Sequence, residues 1–236
     1  MKQNNLNDRS KNRKEEYAEL WKKDSIEINN NKLYDWMSSK VEKYKTILEI
    51  GCGAGISTLN LLKRNHNIIG IESNKYCVSM TRDLLHNNGY ENVEIINKRV
   101  SENNCIELVK GLNRNIDLVI CWNPGSIDTL SDEEIRIKYL EFIEMGYQST
   151  QNLEDFTSNY SEDLIRSACK IGQTLNIDIH IVDRCVDKNA NISEYIDGIE
   201  KYGVTKIISD QIEGFSNRNT MKEYKKIFYK SFLLLR

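Results

Sequence analysis

The fold of this chain is decided by residues 46–58, Thr46-Ile47-Leu48-Glu49-Ile50-Gly51-Cys52-Gly53-Ala54-Gly55-Ile56-Ser57-Thr58. Ile47, Leu48 and Ile50 form a short apolar run of the kind found in buried parallel strands. Glycines follow at once at 51, 53 and 55, and an amphipathic helix begins at Ser57, with Leu59, Leu61 and Leu62 as its apolar positions. A strand, a glycine turn and a helix in that order bring bare backbone and a helix N-terminus up to a ligand.

Two kinds of nucleotide-bearing ligand use this device. The dinucleotide fingerprint places its third glycine three residues after the second. Here that position is Ile56, and the third glycine comes early, at Gly55. An acidic residue, Glu49, also stands two places before the first glycine. The resulting E-x-G-x-G-x-G pattern resembles motif I of the class I S-adenosylmethionine-dependent methyltransferases. The resemblance implies that Glu49, Gly51, Cys52, Gly53 and Gly55 form the near wall of a cofactor site. Asn67-Ile68-Ile69-Gly70-Ile71-Glu72-Ser73 supports it as a second strand ending in a carboxylate, 21 residues after Gly51. An acid at that strand tip accepts hydrogen bonds from ribose hydroxyls. Glu72 is therefore expected to hold the ribose, with Ser73 beside it.

Composition narrows the alternatives. A chain of 236 residues suits one α/β domain with additions. A net charge of −2 gives no global electrostatic case for a nucleic-acid partner. The six cysteines contain no C-x-x-C pair and are expected to be reduced core residues. The three histidines are scattered without ligand spacing, so no metal is expected. The absence of an apolar run of membrane-spanning length or a signal-peptide core leads to the expectation of a cytoplasmic protein with no membrane partner. Nothing in the sequence sets the oligomeric state.

Along the chain, residues 1–15 are polar without apolar periodicity and are expected to be frayed or disordered in isolation. From Glu16, Tyr17, Leu20 and Trp21 share a helical face, and Asn29-Asn30-Asn31 ends it. A second helix carries Leu33, Trp36, Met37 and Val41. Domain boundaries are expected at 1–32, a helical extension, and 33–236, the main domain. Further strands are expected at 93–96, 116–121, 177–183, 204–208 and 227–235, with helices at 74–88, 101–112 and 192–202. Residues 131–175 read as two helices, one starting at the capping box of Ser131-Asp132-Glu133-Glu134 and the other near Ser161. About 131–160 is expected to be an insertion. No crossover unit fits between the last two strands, so the last is expected to run antiparallel. The fold class is thus α/β, a seven-stranded, mostly parallel sheet with helices on both faces.

The resemblance also assigns the turns after strands three and four. The family's usual carboxylate for the adenine amino group is missing from Asn97-Lys98-Arg99-Val100-Ser101, leaving backbone near Arg99 and Val100 to meet the adenine edge. Trp122-Asn123-Pro124-Gly125 partly resembles the N/D-P-P-Y/F motif of amino-group methyltransferases. Asn123 and Pro124 match it, whereas Gly125 and Ser126 replace its second proline and its aromatic residue. Asn123 is the candidate catalytic residue, with a share in cofactor binding. The tetrad also reads as an ordinary turn. Tyr17, Trp21, Trp122, Tyr147 and Tyr160 are candidate substrate contacts. The expected activity is methyl transfer to a small-molecule or peptide acceptor, nitrogen before oxygen. The alternatives are a nucleic-acid base N-methyltransferase and a non-catalytic S-adenosylmethionine-binding partner protein.

Overall fold

The computed structural model describes residues 2–124, 153–194, 196–214 and 227–236. Two helices, α1 (Lys2–Asn30) and α2 (Leu33–Ser39), precede a βα alternation. It runs β1 (Thr46–Ile50), α3 (Ile56–Lys63), β2 (Asn67–Glu72), α4 (Lys75–His86), β3 (Glu94–Asn97), α5 (Cys105–Lys110) and β4 (Leu118–Trp122). After it come α6 (Leu153–Leu175), β5 (Asp178–Cys185), short 3-10 turns at Ile192–Glu194 and Ile199–Tyr202, β6 (Lys206–Gly214) and β7 (Ile227–Leu235).

The strands form one seven-stranded sheet in the order β3-β2-β1-β4-β5-β7-β6. All pairs are parallel except those of β7, which runs antiparallel to β5 and β6. The expected sheet and its reversed last strand are therefore present. Alternate strand residues feed two cores, as a pleated strand covered on both faces requires. Leu48, Ile71, Val119 and Ile181 face α5 and α6, while Ile47, Ile68, Ile120 and Val182 face α1 to α4. Among the described residues, no helix is long and apolar enough to cross a membrane.

Several boundaries differ from the sequence reading. α1 begins at Lys2, so the polar segment at 2–15 continues the helix; once nucleated, a helix gains one hydrogen bond per added residue. Its buried side carries Ala18, Trp21, Asp24, Ser25 and Ile28, whereas Leu20 is exposed. The helix expected to start near Ser161 begins at Leu153, and the one expected from Ser131 lies outside the described residues. In place of the helix expected over 192–202, 3-10 turns lie at Ile192–Glu194 and Ile199–Tyr202, and Gly198 before the second takes a left-handed φ of +65° that no right-handed helix passes through. β6 extends to Gly214 because β7 offers it nine paired residues, from Leu235 to Ile227.

A buried polar chain crosses the sheet from β4 to β7. The Trp122 indole Nε1–H donates to His180 Nδ1 at 3.0 Å, and His180 Nε2 lies 2.8 Å from Ser231 Oγ. An indole nitrogen is donor only, so His180 Nδ1 must accept and Nε2 carries the proton. Burial pushes the imidazole pKa down to about 3. Unfolded chains bind a proton at this histidine below about pH 6.5 while the folded protein does not, so acidification favours unfolding from there down to about pH 3. Urea unfolding at pH 7 and pH 5 should show wild type losing about 2 kcal/mol more than a His180→Gln variant over that interval. Equal losses would mean that this histidine titrates normally in the folded state.

Candidate active site

The strand order reverses between β1 and β4, and in open α/β sheets ligands bind at such a switch point, beyond the strands' carboxyl ends. A pocket lies there. Ile50, Gly51 and Gly53 line it from the end of β1, and Ile71, Glu72 and Ser73 from the end of β2. Lys98, Arg99 and Val100 follow β3, Asn123 follows β4, and Cys77 and Leu164 come from α4 and α6. Tyr17 and Trp21 reach it from α1.

Glu72 is held from two sides in the pocket wall. Only 7% exposed, it accepts the Gly53 N–H on Oε2 at 3.0 Å and the Asn74 N–H on Oε1 at 2.8 Å. One carboxylate therefore ties the glycine turn to the start of α4. Burial raises its pKa above the usual carboxylate value, against the lowering effect of these backbone donors. Asn74 caps α4 through Oδ1, which accepts the Tyr76 N–H at 3.0 Å, and its Nδ2 donates to the Lys14 carbonyl at 2.8 Å. The turn after β2 thereby also anchors α1.

Gly51 stands at φ +77°, a left-handed conformation that glycine adopts without steric cost, and a Cβ there would project into open space. Gly53 differs. A side chain at this position would collide with the Trp21 indole, which rests on the turn. Gly55 faces the Thr81 side chain and backbone of α4. Glu49 is 1% exposed, with its two oxygens accepting from Ser57 Oγ at 2.5 Å and Thr58 Oγ1 at 2.6 Å. It fastens β1 to the first turn of α3. Of the motif residues expected to form the cofactor wall, Gly51 and Gly53 line the pocket, whereas Glu49, Cys52 and Gly55 lie behind it.

Asn123 adopts φ +50°, and its N–H donates to the Val182 carbonyl at 2.7 Å. Its side chain is 3% exposed, and neither Oδ1 nor Nδ2 has a hydrogen-bond partner among the described residues. A buried polar group left unmatched costs about 1–3 kcal/mol.

The structure brings Tyr17, Trp21, Gly51, Gly53, Glu72, Ser73, Arg99, Val100 and Asn123 to one pocket. It separates Trp122 from them. The inward register of β4 turns that indole into the core against His180, at 5.7 Å between ring centroids and an interplanar angle of 89°. Tyr147 lies outside the described residues, as does the side chain of Tyr160, whose backbone belongs to α6. Sequence reasoning missed Ile50, Ile71, Cys77, Lys98 and Leu164. Strand-end position marks the first two, and Lys98 adjoins the expected Arg99. Leu164 arrives from a distant helix and has no local signal.

These residues fit S-adenosylmethionine on three observations. Open space faces Gly51, a buried carboxyl stands at the tip of β2, and the Asn123 amide has no partner among the described residues. Residues 47–141 match the model of a methyltransferase domain family. Comparison with curated protein sequences returns no match. Among solved structures, the chain resembles a SAM-dependent methyltransferase from Agrobacterium tumefaciens at 9% identity and a TM-score of 0.50, covering 86% of this chain and 60% of that one. It also resembles EvdMO1, at 15% identity and TM-score 0.49 over 86% of this chain and 40% of that one. A precorrin-6y C5,15-methyltransferase from Geobacter metallireducens matches at 12% identity and TM-score 0.48, over 87% of this chain and 88% of that one.

Glu72→Gln tests the carboxylate. An amide cannot accept both the Gly53 and Asn74 N–H groups with two oxygens, so one donor is left facing NH2. The variant should lose about 1–3 kcal/mol of stability in urea titration. Calorimetry should show S-adenosylhomocysteine binding weakened by roughly tenfold or more, the equivalent of one charge-assisted hydrogen bond. Lower stability with unchanged affinity would restrict Glu72 to fastening the turn.

Proposed function

We propose that this chain is a class I, S-adenosylmethionine-dependent methyltransferase that transfers the sulfonium methyl group to a nitrogen atom of a small-molecule or peptide acceptor. The observation that carries this reading is the buried Asn123 amide at the end of β4, which lines the pocket and has no hydrogen-bond partner among the described residues. Oδ1 of such an amide accepts an N–H from an amine and turns the nitrogen lone pair towards the methyl carbon. Nδ2 remains to hold a second polar atom of the acceptor or cofactor.

Bound S-adenosylmethionine supplies an electrophilic methyl whose leaving group is a neutral thioether. The protein's own task is then to position and exclude water. Glu72, with Ser73 beside it, binds the ribose hydroxyls. Backbone at Lys98, Arg99 and Val100 meets the adenine edge, because Asn97 is already engaged: its Nδ2 donates to the Glu72 and Ser73 carbonyls at 2.9 and 3.0 Å. Ile50, Ile71, Val100 and Leu164 provide the apolar walls. Tyr17 and Trp21 close the side next to α1. A neutral amine attacks without prior loss of a proton, which leaves after transfer, so no general base is required. Holding the two reactants in line supplies about 7–11 kcal/mol of such a barrier.

A screen of amine-bearing metabolites and peptides with methyl-labelled cofactor identifies the acceptor. With it in hand, Asn123→Ala should lower kcat by roughly 10²–10³, the usual cost of one oriented transition-state contact. Its affinity for S-adenosylhomocysteine should stay near that of wild type. Normal turnover by a folded Asn123→Ala protein would remove the basis for a nitrogen acceptor.

A further inference from the structure

A buried ion pair joins α1 to β5. Arg184, near the end of β5, donates from Nη1 to Asp24 Oδ2 at 2.7 Å, with side-chain exposures of 3% and 7%. The same guanidinium lies over the Trp21 ring, 5.5 Å from its centroid. Trp21 and Asp24 are one helical turn apart on the buried side of α1, so a cation held by one is placed against the other. Trp21 in turn rests on Gly53 and forms part of the pocket wall. A contact chain thus runs from Asp24 through Arg184 and Trp21 to the glycine turn. Arginine suits the middle of this chain, because its flat guanidinium can stack on a ring while its edge donates to a carboxylate.

We infer that Arg184, fixed by Asp24, is a positioning residue for the cofactor: it holds the Trp21 indole against the Gly53 turn and so sets how tightly the pocket grips the adenosyl ligand. This rests on the cofactor reading of the pocket given above. Asp24 and Arg184 touch the ligand only through Trp21, which separates their role from that of Glu72.

The test uses the full chain and calorimetry with S-adenosylhomocysteine. Removing one partner alone leaves a buried charge and can unfold the protein. The double variant Asp24→Asn/Arg184→Gln removes both charges with little change in volume, and Arg184→Lys keeps the ion pair while losing the flat stacking surface. The double variant should bind S-adenosylhomocysteine roughly tenfold more weakly, within the range of coupling between contacting residues. Arg184→Lys should fall between it and wild type. The deciding comparison is with Trp21→Ala. Adding Trp21→Ala to the double variant should weaken binding no further than Trp21→Ala alone, because all three residues act through one indole. Wild-type affinity in a folded double variant, or fully additive losses in the triple variant, would overturn the proposal. If wild type itself fails to bind S-adenosylhomocysteine, the cofactor reading falls and this proposal with it. If the double variant does not fold, Arg184→Lys decides: unchanged affinity with a native circular dichroism spectrum overturns the proposal.

Discussion

The carboxylate of Glu72, accepting the main-chain N–H groups of Gly53 and Asn74, is the contact on which the geometry of the site depends. β1 and β2 are neighbours in register, but their following turns project beyond the last ladder hydrogen bonds and need something else to hold them. A buried acid with two acceptor oxygens does this for both turns at once. Glu49 repeats the arrangement one layer behind, with hydroxyls from α3 as its donors. Burial raises the pKa of both acids, so each depends on its donors to remain in place. The rigid part of the pocket is thus made by side chains serving the main chain.

The opposite wall has another origin. α1 packs against α2, α3 and α4, and it is tied to the sheet by the Asp24–Arg184 pair and by the Asn74–Lys14 hydrogen bond. It reaches the site from outside the βα alternation. The pocket therefore joins a core set by sheet register to a helix that packs on it from outside the alternation.

Local signals in the sequence carried the architecture and most of the pocket lining. The apolar run at 47–50, the three glycines and the acid ending β2 each express a backbone requirement within a few residues. Gly51, Gly53, Glu72 and Asn123 all reached the pocket for that reason. Glu49 did not, because its place in the pattern says that it is buried and acidic but not which hydrogen-bond donors will face it. Trp122 failed on pleat direction: adjacent strand residues point to opposite faces, and the indole belongs to the core side while Asn123, past the strand's end, belongs to the pocket. Leu164 and the Arg184 contact come from long-range packing, for which spacing along the chain has no signature. The early break at Gly198 was visible as a glycine, yet its left-handed φ is set only by the packed chain around it.

The left-handed backbone of Asn123, at φ +50°, has a consequence for how this protein responds to stabilisation. Asparagine tolerates that region better than most residues, but glycine adopts it with less strain. Asn123 also buries an amide whose two polar atoms have no partner among the described residues. Both features favour replacement by glycine if thermal resistance alone is selected. A library screened only for heat tolerance would therefore drift away from asparagine here, and its hardiest members would be the ones that lost the amide from the pocket wall.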